Sequence, residues 1–235
     1  MKRIENGLKK AVQLLWSACL IITLLLCSVD LFCFNRSFYQ KEYEKLGVAE
    51  TIQISDEDLT LATEVLLDYI QDKRDDLHVE AAIAGQIREV FNQREIDHMV
   101  DVKNLYLTAM TVRNLAAGLV VVLGILIYLD QRASKKGFRS VAVSFIQVSV
   151  VFGAVFAALG FYAAIDFQNF WWQFHQIFFT GNDLWILDPN TDILIMMVPQ
   201  EFFFDLVFRI VMGFAAAYGL CLAVAAGLSR KGSVK

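Results

Sequence analysis

Residues 141–165 read VAVSFIQVSVVFGAVFAALGFYAAI, twenty-five consecutive positions without one Asp, Glu, Lys or Arg. At about 1.5 Å per helical residue such a run exceeds the roughly 30 Å of a bilayer's hydrocarbon. Three more apolar runs of spanning length lie at 11–34, 105–129 and 202–228, with Asp30 in the first, Arg113 in the second, and Asp205 and Arg209 in the last. The 235 residues are 57% hydrophobic and 20% charged, with a mean hydropathy of +0.49. These values and the blockwise arrangement exclude an ordinary soluble enzyme. The fold class read from them is mainly α: an integral membrane four-helix bundle with a small, mostly helical extracytoplasmic domain.

Basic residues orient the bundle, because Lys and Arg in short segments stay on the cytoplasmic side. The N-terminus (Lys2, Arg3, Lys9, Lys10), the loop 130–140 (Arg132, Lys135, Lys136, Arg139) and the tail (Arg230, Lys231, Lys235) hold eleven of them against Glu5 and Asp130. Both termini are therefore expected in the cytoplasm, with 35–104 and 166–201 outside. Residues 166–205 carry six carboxylates and no Lys or Arg. The net charge of −4 argues against nucleic acid as a partner. The first apolar run is too long for a removable signal and is expected to be retained. Cys19, Cys27, Cys33 and Cys221 offer neither a disulfide framework nor metal spacing.

Function is expected outside the membrane. Ser55, followed by Asp56, Glu57 and Asp58, is a helix start, and Leu59, Ala62, Leu66 and Tyr69 continue it to about Ile70. VAETIQIS before it alternates as a short strand would, and 79–104 read as helical into the second span. The segment 166–201 is dense in aromatics, with Trp171, Trp172 and Trp185 suited to headgroup level. The chain has three histidines, His78, His98 and His175. His78 follows a charge cluster and reads as solvated. His98 has Asp97 beside it and Asp101 three residues on, placed to orient an imidazole. His175 sits among aromatics, where an unused titratable ring would suffer desolvation. The expectation is that His175 stays neutral while His98, beside its carboxylates, protonates more readily.

REIDHMVDVK before the second span, with FHQIFFTGNDLWILDP and PQEFFFD before the fourth, resembles the lipoprotein intramolecular transacylase (Lit) family. The four-span layout agrees. The resemblance implies a Gram-positive enzyme of the outer leaflet whose partners are diacylglyceryl-modified lipoproteins and membrane lipid. It implies transfer of the sn-2 acyl chain from the S-diacylglyceryl group of the N-terminal cysteine to its α-amino group. By motif the catalytic histidines fall on His98 and His175. Amine and ester belong to one substrate, so no acyl-enzyme is required, and no cofactor and no metal are expected. One histidine would act as base and the other as oxyanion donor. Three other readings remain: zinc held by both histidines with Asp101, Asp183 or Asp188; a Cys33 nucleophile; and a non-enzymatic sensor.

Depth arithmetic adds a further set. Asp30, Arg113 and Arg209 each stand about 24 to 29 Å from the inner ends of their spans, near the outer hydrocarbon edge. They either snorkel separately or form a polar floor in which Asp30 pairs with an arginine. With Trp185 they are the candidate substrate-binding residues.

Overall fold

The computed structural model describes residues 2–134 and 137–230. Lys135, Lys136, Lys231 and Lys235 of the basic loop and tail lie outside the described residues. The element order is α1 (Lys2–Cys33), α2 (Arg36–Leu46), α3 (Val48–Ile52), α4 (Asp56–Ile70), β1 (Glu80–Ile83), β2 (Gln86–Glu89), α5 (Gln93–Ser134), α6 (Arg139–Ile165), α7 (Phe167–Phe178), α8 (Ile193–Met197) and α9 (Gln200–Arg230). Among the described residues, α1, α5, α6 and α9 are long and apolar enough to cross a membrane. The chain divides into two compact units, one of 1–30, 110–165 and 209–235 and the other of 31–109 and 166–208.

In the first unit Ile21, Ala142, Phe145, Phe214 and Ala225 form a core between α1, α6 and α9. Trp16 Nε1 donates to the Val120 carbonyl of α5 at 3.0 Å. A side chain at Gly124 would meet that indole nitrogen at 3.3 Å, so this crossing favours glycine. Gln13, Ser17 and Ser144 are buried. They are satisfied internally: Ser144 Oγ donates to Gln13 Oε1 at 3.0 Å and Ser17 Oγ to the Gln13 carbonyl at 2.7 Å. Such pairing suits groups that no water reaches. Leu115, Val150, Phe161 and Leu220 are each about two-thirds exposed, a surface that fits hydrocarbon rather than water. The protein is a multi-pass membrane protein.

The second unit is built on α2 and α4. Arg36 ties them through Glu64 and Asp68, and the Tyr43 and Thr63 hydroxyls bond at 2.9 Å. Ser55 caps α4, accepting from the Asp58 amide at 3.0 Å, as its sequence predicts. Two local expectations fail. VAETI is the helix α3 rather than a strand: Gly47 and Gln53 take left-handed conformations at its two ends, and Val48 and Ile52, one turn apart, are both buried. Residues 79–92 are not helical. Ala84 and Gly85 both have positive φ, the backbone of a tight two-residue turn, and the flanking strands pair antiparallel from Glu80 opposite Glu89 to Ile83 opposite Gln86. Helix α5 starts only at Gln93 and then runs unbroken to Ser134.

Candidate functional site

The start of α5 is fixed by a reciprocal cap. The Asn92 amide donates to Glu95 Oε2 at 2.7 Å, and the Glu95 amide to Asn92 Oδ1 at 3.1 Å. This is the capping-box arrangement, with Asn in the cap position. The other oxygen of Glu95 accepts from the Leu194 amide at the start of α8, while Asn92 Nδ2 donates to Asp192 Oδ1 at 2.9 Å. Glu95 is 1% exposed. Burial, reinforced by the nearby Asp192, pushes its carboxyl up to about 7 against the two backbone donors. One turn further along α5 stands His98, so the latch that pins Asp192 and Leu194 to this helix also fixes the height of the histidine.

His98 is buried, and its ring centre lies 6.1 Å from that of His175. Phe179 meets His98 edge-on at 5.2 Å and also lies 5.5 Å from His175. His175, on α7, is bonded through Nδ1 to the Trp171 carbonyl at 2.8 Å. Trp185 stacks on the same imidazole at 5.0 Å and meets Trp172 edge-on. Burial lowers His175 below the usual imidazole value, opposed by the Trp171 bond. For His98, burial and then the His175 charge push it down to about 4, opposed by the charge of Asp101.

The two histidines and Trp185 thus meet in one place. The expected carboxylate clasp on His98 does not form. Asp97 accepts from Gln93 Nε2 at 2.8 Å and Asp101 from Asn182 Nδ2 at 2.9 Å, while His98 Nδ1 is buried with no hydrogen-bond partner. Both carboxylates are drawn to side-chain amides, so Asp101 reaches His98 through its field alone. The expected readiness of His98 to protonate is also reversed, because burial outweighs that field. His78 is solvated, with its side chain 69% exposed.

In the membrane unit Arg113 pairs with Asp30, and its Nε donates to Asn114 Oδ1 at 3.1 Å. Arg209 belongs to the same unit. Among the described residues no three His, Cys, Asp or Glu side chains gather as metal ligands. Asp183 lies 3.3 Å from Arg94, and Asp188 accepts from the amide and side chain of Asn190. All four cysteines are free thiols.

Sequence reading passed over Asn92, Glu95 and Asp192. The signal for the first two was present in the Asn-x-x-Glu spacing ahead of a helical run. Nothing local announces Asp192, whose partner is a hundred positions away.

The family model for the lipoprotein intramolecular transacylase Lit matches residues 14–203. The chain belongs to the Lit family. It is accordingly an acyltransferase, a lipoprotein intramolecular transacylase embedded in a membrane. The fold is that of the membrane-integral Lit of Bacillus cereus, with a TM-score of 0.79 at 21% identity over 98% of this chain and all of that one. Two further structures of that protein carry a single histidine substitution. The alanine variant matches at a TM-score of 0.76 and 19% identity, covering 99% of each chain. The arginine variant matches at 0.75 and 20%, covering 97% of this chain and 95% of that one. Among curated proteins none matches the chain.

Proposed function

We propose that this Lit protein moves the sn-2 acyl chain of an S-diacylglyceryl N-terminal cysteine to that residue's α-amino group, with His175 as base and His98 as oxyanion donor. The observation that carries this division is the 2.8 Å bond between His175 Nδ1 and the Trp171 carbonyl. A carbonyl only accepts, so Nδ1 holds the proton and Nε2 keeps its lone pair. His98 Nδ1 is buried without a partner, and an orphaned N–H there would be the rarer and costlier state. Its proton accordingly sits on Nε2. Burial keeps both rings neutral, as a base and a neutral donor require.

The neutral amine attacks the ester carbonyl carbon, forming the C–N bond and sending the carbonyl pair to oxygen, where His98 Nε2–H donates. His175 Nε2 takes a proton from the nitrogen. As the bond to the glyceryl oxygen breaks, the same imidazolium returns that proton to it. An amide and a free glyceryl hydroxyl result, with no acyl-enzyme. Trp185, stacked on His175, is a substrate contact in this reading, and Asp30, Arg113 and Arg209 are further candidates by their count along the spans.

The site works at the outer leaflet of a bacterial cell membrane, with lipid as its surroundings and both termini cytoplasmic. The eleven basic residues of the two ends and the 130–140 loop support that orientation. A reporter active only outside the cytoplasm and fused after Lys235 should stay silent; an active fusion would reverse the topology. For the chemistry, mass spectrometry of a lipoprotein's N-terminal peptide reads the result. The N-acyl, S-monoacylglyceryl form is expected with the wild-type chain and absent with His98→Ala or His175→Ala, both still in the membrane, whereas His78→Ala retains most product. Near-normal product from either of the first two variants would defeat the mechanism.

A further inference from the structure

Beside the histidine pair runs a groove of about 250 Å³. Asp101, Asn104 and Thr108 of α5 form one wall, and Phe179, Thr180 and Asn182 from the turn after α7 form the other. Its lining holds one charged group, Asp101, among side-chain amides and hydroxyls and the apolar side chains of Leu105, Phe178 and Phe179. Phe179 is a shared wall, since its ring also packs on both His98 and His175. Asp101 is held by Asn182 through Oδ2 alone; Oδ1 has no hydrogen-bond partner among the described residues. A carboxylate positioned through one oxygen, three residues from His98 on one helix face, fits a cation with several N–H donors.

We infer that this groove receives the substrate's free N-terminus, Asp101 holding the α-ammonium while Asn104, Thr180 and Asn182 take the first peptide groups. The inference rests on the transacylase reading above and adds where the amine is held before reaction. An α-amine has a pKa of about 8, so it arrives at neutral pH largely as the ammonium ion. A carboxylate stabilises that charged form and not the neutral nucleophile. Asp101 therefore contributes to capture rather than to attack, and its loss belongs in KM rather than kcat. The ammonium then loses one proton to the solvent that reaches the groove, and the neutral amine moves toward His175, which lies across Phe179. The same contact selects against lipoproteins whose amine is already acylated, because an amide offers neither the charge nor three donors. Product would thus leave the groove more readily than substrate.

The test uses dialkylglyceryl cysteinyl dipeptides, in which ethers replace the esters so that no transfer occurs. One carries a free α-amine and its twin an acetylated one. Both compete with a reactive diacylglyceryl lipopeptide on the full-length protein at pH 7. A charge-assisted contact predicts that the wild type holds the free amine about tenfold more tightly than the acetylated twin. In Asp101→Asn, similar in shape and still able to bond Asn182, the preference should fall below about twofold, with KM raised about tenfold and kcat within a few fold. Asp101→Ser should show the same loss, and heat stability reads whether either variant keeps its fold. Retention of the full preference in a folded variant, or a loss of kcat with KM unchanged, would overturn the inference. Failure of the wild type to convert the reactive lipopeptide would instead defeat the transacylase reading.

Discussion

The bond from His175 Nδ1 to the Trp171 carbonyl sets a tautomer that no sequence motif displays, while His98 owes its neutrality chiefly to burial. With a folded value of about 4 against an unfolded one near 6.5, His98 binds a proton more readily once the chain unfolds. Its contribution to stability is intact above about pH 6.5 and is lost as pH falls toward 4, on the order of 3 kcal/mol at full expression. The midpoint of heat unfolding in His98→Ala should therefore decline less than the wild type's between pH 7 and 5. Parallel declines would show that the ring is not buried neutral. The pair itself was legible in the sequence because histidine is scarce and both flanking motifs are distinctive. Their setting was not. Asp97 and Asp101 look like natural partners of His98 at their spacing, but each gives one oxygen to an amide instead, Asp97 to Gln93 and Asp101 to Asn182, and the Asn182 contact crosses eighty-one positions.

At the scale of elements, what was legible followed local rules and what was missed followed tertiary ones. Ser55 and its acids announced α4 because a cap is decided within four residues. The hairpin at 80–89 was hidden because an Ala-Gly turn is a weaker signal than Asn-Gly. Moreover, β2 presents all four side chains to solvent, leaving no alternation to detect. The Glu95 latch joins α5 to α8 and titrates in the opposite sense to His98. Its folded value of about 7 stands above the unfolded 4.5, so its stabilisation is full below about pH 4.5 and disappears as pH rises through 7, again on the order of 3 kcal/mol. In the wild type the two trends offset one another. Glu95→Gln removes the carboxyl's share, and its unfolding midpoint should fall more steeply than the wild type's as pH drops from 7 to 5. The slope is the readout, because Gln also loses an acceptor for a backbone amide and lowers the midpoint at every pH. An unchanged slope would place the Glu95 pKa near its ordinary value.

Across the whole molecule, four spans and their order could be read from hydropathy because lipid forbids unsatisfied backbone over about 30 Å. The polar groups inside those spans carry the remaining information. Asp30 and Arg113 are partners, with side chains 29% and 23% exposed, at a level where a lone charge is costly. Removing one partner takes a compensating charge from the other, whereas removing both leaves neither in need of that compensation. Arg113→Leu and Asp30→Asn should each lower the unfolding midpoint, and the double variant should be more stable than the Arg113→Leu single. That comparison isolates the pair. Turnover separates structure from substrate contact: if Arg113 also orients the ester carbonyls, the double variant recovers stability yet remains at least about tenfold slower than wild type, as expected for loss of a charge-assisted bond. Recovery of both stability and rate in the double variant would confine the pair to holding α1 against α5, and unchanged stability in all three would assign Arg113 to the lipid interface.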